Sequence, residues 1–168
     1  MPSLTFFQRL PPPPECLALL VAALEVFPFG LSGLWNPISF SDGYGLPIDT
    51  TVATSSTSSK RSSTTSATTL PTLEVDRNTK KALVAAIAAR NVQNGILIFT
   101  FGLVLRDRKS LGVAVMAGLV ATFADAVIVR TYGVKEKMAG HCVGIFNSLA
   151  IGGSLLYWDR QDSVWRGR

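Results

Sequence analysis

The chain has 168 residues, 48% of them hydrophobic and only 16% charged, with a mean hydropathy of +0.33 and a net charge of +5. That balance excludes a disordered chain, a collagen-like repeat and a disulfide scaffold, and the length allows one domain. It predicts an all-α transmembrane helical bundle of four spans in a small integral membrane protein.

An amino-terminal tail, 1–15, ends in the run Pro11-Pro12-Pro13-Pro14, which favours polyproline II and cannot enter a helix interior. The first predicted span, 16–35, is apolar but interrupted by Glu25, Pro28, Gly30 and Gly33. Its twenty residues suit a bilayer crossing at about 1.5 Å per residue. A cleaved signal fits less well, because Glu25 interrupts the apolar stretch and no good Ala-x-Ala site follows. Asn36 to Asp49 reads as a loop, punctuated by Asn36-Pro37, Asp42-Gly43, Gly45 and Pro47. From Thr50 to Thr72, 16 of 23 residues are Ser or Thr, too little apolar surface to offset chain entropy, so a disordered linker is expected.

Three apolar segments follow, at 82–105, 111–129 and 142–158, with a carboxy-terminal tail at 159–168. They are too long and too free of alternation for strands, and their short connectors make neighbouring spans antiparallel. Basic residues gather between the spans, at Lys60-Arg61, Lys80-Lys81, Arg106-Asp107-Arg108-Lys109 and Lys135-Glu136-Lys137. None of these clusters interleaves with aromatic side chains, so the expected partner is the lipid bilayer and not nucleic acid. Basic residues divide evenly between the two faces, and only the dense Arg106–Lys109 loop favours an inward amino terminus.

Polar residues within the spans carry the chemistry. An ionisable group there costs about 3 kcal/mol on insertion scales and so faces the bundle interior or water. Arg90, Gln93 and Asn94 fall on one helical face, with Asn91 beside it. Asp125 shares a stripe with Thr122 and Gly118. His141 opens the fourth span, ahead of the small-residue stripe Gly144, Ser148 and Gly152, which permits close helix approach. Arg90 and Asp125 have opposite charges on neighbouring spans, so a charge pair with Asn94 and Asn91 in a polar bundle interior is one expectation. The other is an acid–base site in which Asp125, His141 or Glu25 moves a proton on an apolar substrate. His141 is the single histidine, and Cys16 and Cys142 stand apart, so neither a metal site nor a cofactor is expected. No Gly-x-Ser-x-Gly, P-loop or Gly-x-Gly-x-x-Gly fingerprint occurs.

The order Gly45-Leu46-Pro47, Arg90-Asn91 with Gly95, Gly112, Asp125-Ala126 and Gly140-His141 resembles a family of small integral membrane proteins of fungi and bacteria known chiefly as a domain of unknown function. The resemblance covers most of 16–157 and implies four membrane helices and no established activity. It also implies relatives near fungal secondary-metabolite genes. The Thr50–Thr72 tract departs from the family's brief connector. Together these features predict a structural or accessory membrane component. The alternative is a membrane-embedded isomerase or cyclase acting on a lipophilic secondary metabolite, and a small transporter subunit is a third reading.

Overall fold

The computed structural model describes residues 12–48 and 69–157. The first helix, α1, spans Pro13–Trp35. It starts inside the proline run, because Pro13 and Pro14 occupy the first turn, where backbone N–H groups have no helical partner anyway. Nor does Pro28 end it. Phe27–Leu31 winds as a π-helical turn, with the Ser32 N–H donating to the Phe27 carbonyl, and the helix resumes over Ser32–Trp35. The wider turn accommodates the missing proline N–H without breaking the rod.

The expectation of a loop across Asn36–Asp49 is corrected. Pro37–Tyr44 forms a short helix, α2. The Asn36 side chain caps it by accepting from the Ser39 N–H at 3.2 Å, and Pro37 sits at its first position. Gly45 ends it in the left-handed conformation at φ 98°, and the Gly45 and Leu46 N–H groups both donate to the Ser41 carbonyl. Of the residues read as loop punctuation, Asn36, Pro37 and Gly45 therefore form the ends of a helix, and Asp42-Gly43 lies within it.

Helix α3 covers Thr69–Phe99 and continues as a π turn over Thr100–Val104. Its backbone begins within the tract read as a linker to Thr72, whereas the bulk of that expected disordered segment lies outside the described residues. Helix α4, Arg108–Tyr132, is capped by Asp107, which accepts from the Lys109 N–H and the Ser110 hydroxyl. The Ser110 hydrogen bond holds the Asp107 carboxyl below its ordinary range. A 3₁₀ turn, Lys135–Lys137, then leads into α5, Met138–Tyr157.

Four of these helices are long and apolar enough to cross a membrane: Pro13–Trp35, Glu74–Val104, Arg108–Tyr132 and Lys135–Tyr157. They form an all-α bundle in which α1 packs on α3 and α4 on α5, with α1–α5 and α3–α4 contacts closing the ring. On α1, Glu15, Ala18 and Ala22 face inward while Leu17, Leu20 and Leu24 face out. This arrangement suits lipid, which welcomes the large apolar side chains and leaves small residues to bring the helices together. The interior layer contains Ala18, Ala22, Ile98, Leu111, Ala114, Val115, Ile151 and Leu155.

Helix α2 folds back over one end of the bundle. Phe40, with Ile48, packs on Val84, and Tyr44 and Ile87 join them. The Val134 N–H donates to the Gly45 carbonyl at 2.9 Å, tying the end of α2 to the α4–α5 connector. Only glycine fits opposite that carbonyl, since a Cβ on Gly133 would lie 2.2 Å from it.

Candidate functional site

Below α2, polar side chains from all five helices converge. At the centre, Arg90 Nη2 on α3 donates to Asp125 Oδ2 on α4 at 2.6 Å. The Asp125 side chain is 8% exposed, whereas that of Arg90 is 37% exposed, so the pair is enclosed at its acid end and open at its basic end. Arg90 Nη2 also reaches Asn91 Oδ1 at 3.4 Å, and Asn91 Nδ2 donates to the Phe29 carbonyl at 3.3 Å. Phe29 belongs to the π turn of α1, so the irregular turn supplies a backbone acceptor to the residue beside the ion pair.

Glu25, on α1, interacts with the Asn94 side chain and lies within electrostatic range of both Arg90 and Asp125. Asn94 fits against Gly118 of α4, where a Cβ would stand 2.7 Å from Asn94 Nδ2. The expected Gly118–Asp125 stripe thus faces α3. Gln93 does not join the cluster; it is exposed while Arg90 and Asn94 are half-buried, so the predicted three-residue face divides.

Tyr44 closes the site from above. Its ring centroid is 5.3 Å from that of Phe40 and 4.8 Å from that of His141, the latter meeting it edge-on at 76°. His141 Nε2 lies 3.2 Å from the Tyr44 carbonyl, a hydrogen bond that requires the proton on Nε2. The Tyr44 hydroxyl points towards Asp125 and Arg90; burial first, and then the Asp125 carboxylate, push its pKa well above the ordinary phenol range. It is therefore a neutral O–H. The Tyr44 hydroxyl and Asp125 Oδ1, both buried, make no close hydrogen bond in this geometry, although the phenol stands near enough to the carboxylate to donate to it.

The structure thus brings Glu25, Arg90, Asn91, Asn94 and Asp125 together and sets His141 one aromatic ring away. Tyr44 was absent from the sequence-derived candidates, although it stands immediately before the Gly45-Leu46-Pro47 landmark. A second pair was missed altogether. At the opposite end of the bundle, Arg108 Nε lies 3.5 Å from Glu15 Oε1, and Arg108 Nη2 donates to the Ser154 carbonyl at 3.0 Å. Its signal lies in α1, where Glu15, Ala18, Ala22 and Glu25 repeat on one helical face, carrying a carboxyl group at each end of a stripe of small residues. The small-residue stripe of α5 serves packing: Gly144 faces Thr122 and Gly152 faces Met116. Among the described residues, no group of three His, Cys, Asp or Glu side chains stands close enough to hold a metal ion.

The model of a family described as a domain of unknown function, DUF4267, matches residues 23–155. The chain belongs to this family. The DUF4267 match includes Glu25, Tyr44, Arg90, Asp125 and His141, together with Arg108, but begins after Glu15. No curated protein and no solved structure matches the chain.

Proposed function

We propose that this chain is a multi-pass membrane enzyme of the isomerase or cyclase type, which moves a proton on a lipophilic substrate at the cluster of Glu25, Tyr44, Arg90 and Asp125. One observation carries the reading: two carboxyl groups from different helices, Asp125 bound to Arg90 and Glu25 within electrostatic range of it, stand together beside a buried phenol. A bundle that merely needed its arginine neutralised would require one carboxylate. Paired carboxyl groups in unlike surroundings are instead the equipment of acid–base chemistry, one able to give a proton and the other to take it. Their depth among apolar helices suits a substrate delivered by the membrane. A secondary metabolite fits that description, and the family resemblance read from the sequence points the same way.

A structural or accessory role is the second reading, favoured by the short Arg90–Asp125 contact that joins α3 to α4. Metabolite profiling of a strain lacking the gene, complemented with Glu25→Gln, Asp125→Asn or His141→Ala while membrane abundance is followed, separates the two. The enzyme reading expects Glu25→Gln and Asp125→Asn proteins at normal abundance, product lost and its precursor accumulated. The accessory reading expects an unchanged profile, and an Asp125→Asn protein depleted from the membrane.

A further inference from the structure

We infer that this chain assembles with copies of itself, the outer face of α3 in one copy packing against the outer face of α5 in the next. This assembly does not depend on what the Arg90–Asp125 cluster does. Gln93, which the fold turns away from that cluster, and Asn147 on α5 are both exposed, and neither has a hydrogen-bond partner among the described residues. Gln93 lies twelve residues beyond Lys81, and Asn147 lies ten beyond Lys137. Each therefore stands about 15–18 Å inside its span, near the middle of a hydrocarbon core about 30 Å thick. Neither side chain is long enough to reach the headgroups from there, and lipid tails offer a carboxamide no donor or acceptor. Within one copy the two cannot meet, because α3 and α5 stand across the ring from each other.

The surroundings of the two carboxamides match. On α3 the exposed positions Ala86, Ala89, Gln93 and Ile96 are spaced by three, four and three residues, and on α5 the exposed Gly140, Val143, Asn147 and Ala150 repeat that spacing. Steps of three and four make the seam of helices that cross at about 20°. Four crossings make α3 and α5 run in the same direction. Laying Gln93 on Asn147 then sets Ala86 beside Gly140, Ala89 beside Val143 and Ile96 beside Ala150. Each of these apolar pairs contains a small residue, so the backbones approach closely, and each carboxamide supplies both the donor and the acceptor that the other needs. The outer faces of α1 and α4 differ: Leu20 and Leu24, or Val120 and Phe123, suit lipid and hold a partner's backbone away. Because the seam joins two unlike faces, each pair of copies keeps one face of each kind unfilled, and copies add until a ring closes.

The test uses the full-length protein with Cys16 and Cys142 replaced by alanine, purified and reconstituted in lipid vesicles. Ala89→Cys and Val143→Cys are made as separate proteins with different tags. Oxidising the mixture should join one tag to the other, while either protein oxidised alone should stay uncrosslinked. A chain carrying both cysteines should give a ladder of oligomers. Leu20→Cys mixed with Val120→Cys, on the outer faces of α1 and α4, sets the level of chance collision. Gln93→Leu should weaken association roughly fivefold, read by energy transfer between labelled copies as added lipid dilutes them, whereas Gln93→Asn should stay near the parent. Gln93 is exposed, so its replacement leaves the packing within each copy intact. Ala89→Cys joining to itself would set α3 against α3 and overturn the inference. Cross-linking at the level of chance, an unchanged affinity for Gln93→Leu, or a chain that stays monomeric at every dilution would overturn it equally.

Discussion

At the scale of single residues, the hydroxyl of Tyr44 distinguishes a working site from a structural one. Burying an O–H without a partner costs stability, so a side chain retained only for packing would do better as phenylalanine. Tyr44→Phe keeps the ring contacts with Phe40 and His141 and deletes only the unmatched oxygen. The variant should be as stable as the parent, within about 0.5 kcal/mol, or slightly more so. It should nevertheless lose product formation if the phenol takes part in proton movement. Thermal unfolding in detergent and metabolite profiling read the two effects separately. A matched loss of both would assign the hydroxyl to the fold. Arg90 and Asp125 were legible as a pair from sequence alone, because opposite charges on neighbouring spans have few ways to be accommodated in lipid. Tyr44 was not, since its position depends on how the chain returns over the bundle after α1.

That return is a matter of elements. The four long helices are legible in the sequence, because about twenty consecutive apolar residues leave few alternatives. The short helix between α1 and the Ser/Thr tract is not, because Asn-Pro and Gly-Leu-Pro are used equally by loops and by the caps of a short helix. Pro28 and Gly30 were read as interruptions of α1 for a similar reason; a π turn keeps the helix whole and presents the Phe29 carbonyl to Asn91. What fixes α2 is a tertiary contact far along the chain, the Val134 N–H on the Gly45 carbonyl, which no local pattern announces. Gly133→Ala tests its importance. The added Cβ would stand 2.2 Å from the Gly45 carbonyl oxygen, so the two loops must separate. The expected cost is about 1–3 kcal/mol, with faster hydrogen exchange across Pro37–Tyr44 and at the Val134 amide. Gly140→Ala is the control, because nothing lies within 4 Å of a Cβ at that position, and it should leave both unchanged.

Across the whole molecule, the two ion pairs lie towards opposite ends of the bundle, separated by an apolar layer. Glu25 and Glu15 stand ten residues apart on α1, about 15 Å, with Ala18 and Ala22 fully buried between them. Ile98 and Leu111 complete that layer from α3 and α4. The Tyr44 end is thus separated from the Glu15–Arg108 end by an apolar layer. Four crossings place the α1–α3 and α4–α5 connections on one face and the α3–α4 turn on the other. Replacing Cys16 and Cys142 by alanine leaves no native thiol, and single cysteines can then be introduced at Asp42, Lys109 or Lys135, all of them exposed. In sealed vesicles of uniform orientation, an impermeant maleimide should treat Asp42→Cys and Lys135→Cys alike and Lys109→Cys oppositely, with the difference abolished once the membrane is permeabilised. The side on which Lys109→Cys reacts gives the orientation that an even division of basic residues left undecided. Should Asp42→Cys instead react with Lys109→Cys, α3 would not cross the bilayer, and Arg90 and Glu25 could not share a membrane-embedded site.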